Sequence, residues 1–184
     1  GVDYGMAFGS GLAAIDAIIK MLEPGDEVIS TNDLYGGSYR LFKQVFEKYG
    51  IVFHFTDMSD PGKLELLVND KTRLFWVETP TNPMMNVIDI KAVSAIARKA
   101  GALLVVDNTF ATPYLQRPVE YGADIVMHSA TKYLGGHSDV VLGLLAVKDP
   151  AVAEKLYFIQ NASGAIAGPM DSFLVLRGIK TLHV

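Results

Sequence analysis

The sequence predicts an α/β fold, a mainly parallel open sheet with helices on both faces. Three observations carry this. Short apolar runs, such as residues 73–78 and 102–106, alternate with segments whose apolar residues recur every three or four positions. The runs are apolar on both faces, as buried parallel strands are. Glycine and proline punctuate most boundaries. Strand–helix alternation of this kind builds a sheet covered by its crossover helices.

Gly9-Ser10-Gly11 leads into a helix over residues 12–22, with Leu12, Ile15, Ile18, Ile19 and Leu22 on one face. Ser10 can cap it, and Pro24-Gly25 ends it. The free amides at its start suit an anion, a phosphate above all; a plain helix cap is the competing reading. A strand over 27–30 comes next. The loop over 32–37 holds Tyr35, which can stack on a flat ring or simply pack. A helix over 38–49 turns Leu41, Phe42, Val45 and Phe46 inward, and its Arg40 either binds an anionic substrate or is solvated. His54, in a strand over 51–55, reads as a sheet residue rather than a ligand. A short helix, 61–68, precedes the buried strand over 73–78, closed by Thr79-Pro80-Thr81-Asn82-Pro83. Two prolines stiffen that loop. Asn82 offers a ligand both a donor and an acceptor, unless the loop is only a turn.

Residues 89–100 read as an amphipathic helix with Val93, Ile96 and Ala97 inward and Gly101 at its C-cap. The strand over 102–106 then runs into Asp107. Open parallel sheets bind ligands at the carboxyl ends of their strands. Asp107 either caps the following loop or pairs with a cation, and a protonated pyridine nitrogen would be one. A short strand over 125–127 ends in Ser129-Ala130-Thr131-Lys132. A lysine buried just past a strand loses its proton readily and becomes a nucleophile able to form a Schiff base. The flanking hydroxyls can bond a phosphate. A surface lysine in a loop is the competing reading. A strand over 140–147, a helix over 150–161 opened by Pro150, and a last helix from Met170, carrying Phe173, Leu174, Leu176 and Ile179, complete the chain.

The 184 residues are half hydrophobic, with a formal net charge of -4. That mild acidity argues against a nucleic-acid partner. No run of about 18 apolar residues exists to span a membrane. Cysteine is absent, which excludes disulfides, and no signal peptide is visible, so a cytoplasmic setting is expected. No metal-ligand set is read. The chain opens on Gly1-Val2-Asp3 and closes inside an apolar segment. The expectation is one large domain, residues 1–184, taken from a longer chain and lacking an N-terminal arm and a C-terminal domain. A rival signal is Gly9-x-Gly11-x-x-Ala14 with Asp33 about 20 residues on, a relaxed dinucleotide fingerprint that would suit an NAD-dependent oxidoreductase. It should follow a strongly apolar strand, and residues 2–8, with a glycine and an acid, are not read as one.

Five ordered motifs converge on a different chemistry. Ser10-Gly11-Leu12-Ala13-Ala14, Asp33-Leu34-Tyr35-Gly36-Gly37, Glu78-Thr79-Pro80-Thr81-Asn82-Pro83, Val106-Asp107-Asn108-Thr109-Phe110 and His128-Ser129-Ala130-Thr131-Lys132-Tyr133 together resemble the Cys/Met-metabolism family of pyridoxal-phosphate (PLP) enzymes, of fold type I. The resemblance covers essentially the whole chain and implies the large, PLP-binding domain of that fold. It implies trans-sulfuration chemistry at Cγ of a sulfur-containing or homoserine-type amino acid, with elimination favoured over replacement. By the same resemblance Lys132 forms the Schiff base and moves protons, Asp107 pairs with the pyridine nitrogen, and Tyr35 stacks on the ring and takes part in catalysis. The amides of Gly11 and Leu12, with the hydroxyls of Ser129 and Thr131, hold the phosphate. Asn82 and Arg40 approach the cofactor hydroxyl or the substrate. The family's Tyr-x-Arg phosphate clamp, donated by a neighbouring subunit, and its carboxylate-binding arginine are not among these residues. The resemblance therefore implies a homo-oligomer, a dimer of dimers with shared active sites. Gly37 stands where methionine γ-lyases resemble Gly-Cys, which leans away from that branch.

Overall fold

A computed structural model describes residues 2–184. In chain order its elements are β1 (Tyr4–Phe8), α1 (Gly11–Ile19), β2 (Glu27–Thr31), α2 (Gly36–Arg40), β3 (Val52–Thr56), α3 (Pro61–Leu67), β4 (Thr72–Glu78), α4 (Ile90–Ala100), β5 (Leu103–Asp107), α5 (Thr112–Leu115), β6 (Ile125–Ser129), β7 (Gly143–Val147), α6 (Pro150–Ser163) and α7 (Pro169–Ile179). This is the α/β, mostly parallel architecture that the alternation predicts. The chain divides into two units, one of residues 22–107 and 118–125, the other of the remaining described residues.

In the first unit the strands run β5-β4-β2-β3, every pair parallel. Continuous burial explains the apolar runs: from Leu74 to Thr79 every residue of β4 and its exit is buried. Trp76 lies fully buried, with Phe42 edge-on at 5.4 Å between ring centroids, and Phe42 stacks on Phe53 at 4.7 Å. His54 is a sheet residue, as expected, and its Nε2 lies 2.6 Å from Glu27 Oε2. Asp89 caps α4 by accepting the Ala92 N–H, and Gly101 ends it.

The segment expected as one helix over 38–49 differs. It begins earlier, as α2, widens into a π turn over Leu41–Val45 and tightens into a 3-10 turn over Phe46–Tyr49. The Phe46 N–H reaches back to the Leu41 carbonyl. The extra residue in that turn rotates the following side chains, so Phe42 and Phe46 are buried while Val45 is 40% exposed. The last carboxylate of β4 and that of β5 fall opposite one another, Glu78 beside Asp107.

In the second unit β1 pairs with β7 antiparallel, and β6 borders β7. Residues 4–8 are therefore a strand, one that the sequence did not mark, and not a strongly apolar one, as expected. Only Met6 and Phe8 of it are buried, which is why the run looked too polar. Ser10 caps α1, its Oγ accepting the Ala13 N–H at 3.0 Å. Ile15, Ile18 and Ile19 are buried as expected, but the helix ends before Leu22, and Leu12 is 37% exposed at its first turn. The strand expected over 140–147 starts only at Gly143. Val140 and Leu142 are apolar because they pack with Ala130, Leu134 and the α7 residue Val175, not because they lie in a ladder. Among the described residues no helix is long and apolar enough to cross a membrane.

Candidate active site

Each unit holds its own group of polar residues at strand ends. In the unit holding α1, the first N–H groups of that helix have no acceptor within it. Ser10 takes up the Ala13 N–H, which leaves the amides of Gly11 and Leu12 for an outside acceptor. Gly11 packs directly against the end of β6. A Cβ built on it would lie 3.0 Å from both Cβ and Oγ of Ser129 and 3.1 Å from the Met127 side chain. Any larger residue would push the helix start away from the Ser129 hydroxyl. Ser129 is itself fixed, its N–H donating to Thr109 Oγ1 at 2.8 Å. The structure thus brings Gly11, Leu12 and Ser129 together. Two amides at a helix N-terminus beside a hydroxyl fit a phosphate group in size and charge.

Thr131 is more committed than expected. Its Oγ1 accepts the Leu142 N–H at 3.1 Å and lies 3.4 Å from the Leu142 carbonyl. Thr131 also lines an open cavity of about 980 Å³ with Lys132, Tyr133, Phe110, Gly136 and Asp171. Lys132 differs from expectation. It is exposed, not buried. After β6 the chain turns, with Lys132 N–H on Ser129 O and Gly136 N–H on Lys132 O. Ala130 and Leu134 point inward in that turn, so Lys132 faces the cavity. Burial is not what prepares its amine. His128, one residue before Ser129, is buried, which holds its pKa down at about 4 and keeps the ring neutral at pH 7.

In the other unit, Asp107 is 6% exposed at the carboxyl end of β5, as expected of it. Glu78, beside it at the end of β4, is equally buried. Burial, aided by the charges of Asp107 and Asp33, pushes Glu78 up to about 8 against the pull of two backbone hydrogen bonds. Those bonds come from the Tyr35 N–H, at 2.9 Å, and the Asn82 N–H. The structure thus joins Tyr35 and Asn82 through Glu78, in register with Asp107. Arg40 is exposed at the end of α2, and no hydrogen bond or ion pair among the described residues ties it to Asn82.

The sequence reading assigned no role to Glu78. A second acid at the carboxyl end of a strand neighbouring that of Asp107 was the signal available. It also missed why Gly37 is glycine. A Cβ there would stand 2.3 Å from Tyr35 Cε1. The ring is the part able to move, so Gly37→Ala should shift Tyr35 while changing stability by less than about 1 kcal/mol. Altered Tyr35 ring resonances with a preserved melting curve are the expected result; an unmoved ring contradicts it.

The dinucleotide fingerprint loses its support. A strand does precede Gly9, but it runs antiparallel to β7, whereas the fingerprint belongs to a parallel strand–helix–strand unit. Asp33, the intended ribose ligand, instead accepts the Thr81 hydroxyl and, at 3.1 Å, the Met84 N–H.

The family model described as Cys/Met metabolism PLP-dependent enzyme matches residues 1–184. A Bacillus subtilis protein named cystathionine γ-synthase/O-acetylhomoserine (thiol)-lyase is 53% identical over 180 residues, which are 98% of this chain and 48% of that protein. A cystathionine β-lyase of Lactococcus lactis subsp. cremoris is 52% identical over 178 residues, 97% of this chain and 47% of the other. A crystal structure of cystathionine γ-lyase from Lactobacillus plantarum, complexed with L-serine, superposes with a TM-score of 0.97 at 44% identity, covering 99% of this chain and 48% of that one. The chain spans about half the length of the curated relatives it matches.

Proposed function

Because the chain belongs to the Cys/Met metabolism PLP-dependent enzyme family, we propose that it carries the cofactor-binding residues of a trans-sulfuration enzyme, a cystathionine γ-lyase. The observation that carries this is the close packing of Gly11 on Ser129, which sets the free amides of the helix start beside the Ser129 hydroxyl only because residue 11 has no side chain. The Gly11 and Leu12 amides and the Ser129 hydroxyl bind the cofactor phosphate. Thr131 joins them by giving up its long contact with Leu142. Asp107 holds the proton on the ring nitrogen. Tyr35 covers the ring and Asn82 meets its hydroxyl. Arg40 is the anion-binding group offered to the substrate.

PLP, when bound, acts as an electron sink that makes protons next to the amino-bearing carbon removable. Lys132 supplies the amine that anchors the cofactor aldehyde. Freed from that anchor, the amine would take the proton from Cα and then one from Cβ, and loss of the second would expel the group at Cγ, which leaves with its bonding electron pair and takes up a proton. Exposure of the amine in the cavity gives it the reach for both positions. Within the family, elimination at Cγ is the reading preferred over replacement there, as in a cystathionine γ-synthase, and over cleavage at Cβ. Support for it comes from the L. plantarum neighbour; Gly37, where a cysteine would displace the Tyr35 ring, bears only against a methionine γ-lyase. A homo-oligomer with shared active sites belongs to the same reading.

Borohydride reduction of the full-length, PLP-loaded protein tests the assignment. A visible absorbance band should disappear, and peptide mass spectrometry should find the reduced cofactor on Lys132. Cysteine and 2-oxobutyrate should form from cystathionine. Cofactor on another lysine overturns the site, and homocysteine with pyruvate overturns the choice of γ-elimination.

A further inference from the structure

Glu78 has no part in the reading above, yet it touches three of the residues that do. It ends β4 in register with Asp107, and its side chain is buried. One Glu78 oxygen accepts the Tyr35 N–H at 2.9 Å. The carboxyl group also accepts the Asn82 N–H. Tyr35 lies in the loop after β2, and Asn82 in the loop after β4. These loops have no regular ladder to fix them. Thr81 and Met84 of the loop after β4 are bonded to Asp33, in the same loop as Tyr35, which ties the two loops to each other but not to the end of β4, and Asn82 is not among those bonds. Tyr35 is likewise fixed at its N–H by Glu78 alone among the described residues.

We propose that Glu78 is a positioning residue of the cofactor site, a single carboxyl group that latches the Tyr35 loop and the Asn82 loop to the end of β4 beside Asp107. Ionised, as it is above about pH 8, the Glu78 carboxylate has the two acceptor oxygens that two N–H donors need. A hydrophobic residue of the same size would leave both amides buried without partners. A merely space-filling role would need neither oxygen. The proposal rests on the PLP reading, since it is the placing of Tyr35 and Asn82 against the ring that makes the latch matter. Misplacing a group by about 1 Å can cost roughly 100-fold in rate.

The test compares the full-length protein with its Glu78→Gln variant at pH 9, where Glu78 is ionised; glutamine keeps one acceptor oxygen and replaces the other with an NH₂ that cannot accept. In the cofactor-free protein, amide hydrogen exchange at Tyr35 or Asn82 should quicken at least about tenfold, while amides of β4 and β5 keep their protection. In the PLP-loaded protein, the visible circular dichroism of the bound cofactor should change and kcat should fall with KM nearly constant. Should the glutamine variant fold poorly, Glu78→Asp, which keeps both oxygens one methylene shorter, reads the same signals. Unchanged exchange together with an unchanged cofactor spectrum overturns the latch alone. If the unsubstituted protein takes up no PLP on Lys132, the cofactor reading falls and the proposal with it.

Discussion

Lys132→Ala in the full-length protein is expected to abolish turnover while leaving the fold intact. The loss should reach at least 10²–10⁴-fold, the usual effect of removing a positioned acid–base group, and more if anchoring of the cofactor is also lost. Stability should change by no more than about 0.5 kcal/mol, because the side chain is exposed and packs into no core. The turn around it is made by backbone bonds, Lys132 N–H to Ser129 O and Gly136 N–H to Lys132 O, which alanine keeps. Lys132→Arg separates charge from chemistry. Arginine keeps the positive charge but does not give up its proton near neutral pH, so it should be as inactive as alanine. Both variants should still bind PLP weakly, through the Gly11 and Leu12 amides and the Ser129 hydroxyl, and release it on gel filtration. Turnover at the unsubstituted rate in either variant refutes the role given to Lys132.

The residues that report the fold from sequence are those whose burial is decided locally. Ala102 to Asp107, five apolar residues running into an acid, reads as a central strand, and the strand over Leu103–Asp107 is indeed covered on both faces. Residues 4–8 did not report themselves. Their strand is half exposed and interrupted by Gly5, and it exists because β7 supplies a partner from far along the chain. Val140 and Leu142 misled for the opposite reason: their apolar character serves packing on α7 from a loop. The winding of residues 36–49 was equally hidden, since a π turn and an α turn share nearly the same composition. In the site, residue types were legible and environments were not. Lys132 was placed at the right turn but in the wrong surroundings, since the inward positions go to Ala130 and Leu134. Thr131 was recognised as a hydroxyl, while its tie to Leu142 depends on a contact eleven residues away. Glu78 stands in a motif that gives it no role by itself, because what it does is visible only once β4 and β5 stand side by side.

That pairing sets up the second large effect, expected for Asp107→Asn. The substitution keeps the shape and removes the charge. Removing one partner of a buried charge pair costs about 3–5 kcal/mol, which as an equilibrium is roughly 10²–10³-fold or more in cofactor affinity. Exchange of the Cα proton of a bound amino acid with solvent deuterium should slow as well, because the proton on the ring nitrogen is no longer held. The cofactor-free protein should respond with the opposite sign at high pH. There Glu78 sits at about 8, raised first by burial and then by the charge of Asp107. A carboxyl group whose proton is held more tightly folded than unfolded stabilises the fold fully below its ordinary value of 4.5, and that contribution is lost as pH rises through about 8. Taking away the Asp107 charge lowers Glu78 toward its ordinary value and shrinks the loss. The melting temperature of cofactor-free Asp107→Asn should therefore fall less between pH 5 and pH 9 than that of the unsubstituted protein, even as PLP binding weakens. A variant that keeps its PLP affinity and its rate of Cα exchange removes Asp107 from the cofactor site. One that loses affinity but melts with the original pH slope shows instead that Asp107 does not bear on Glu78.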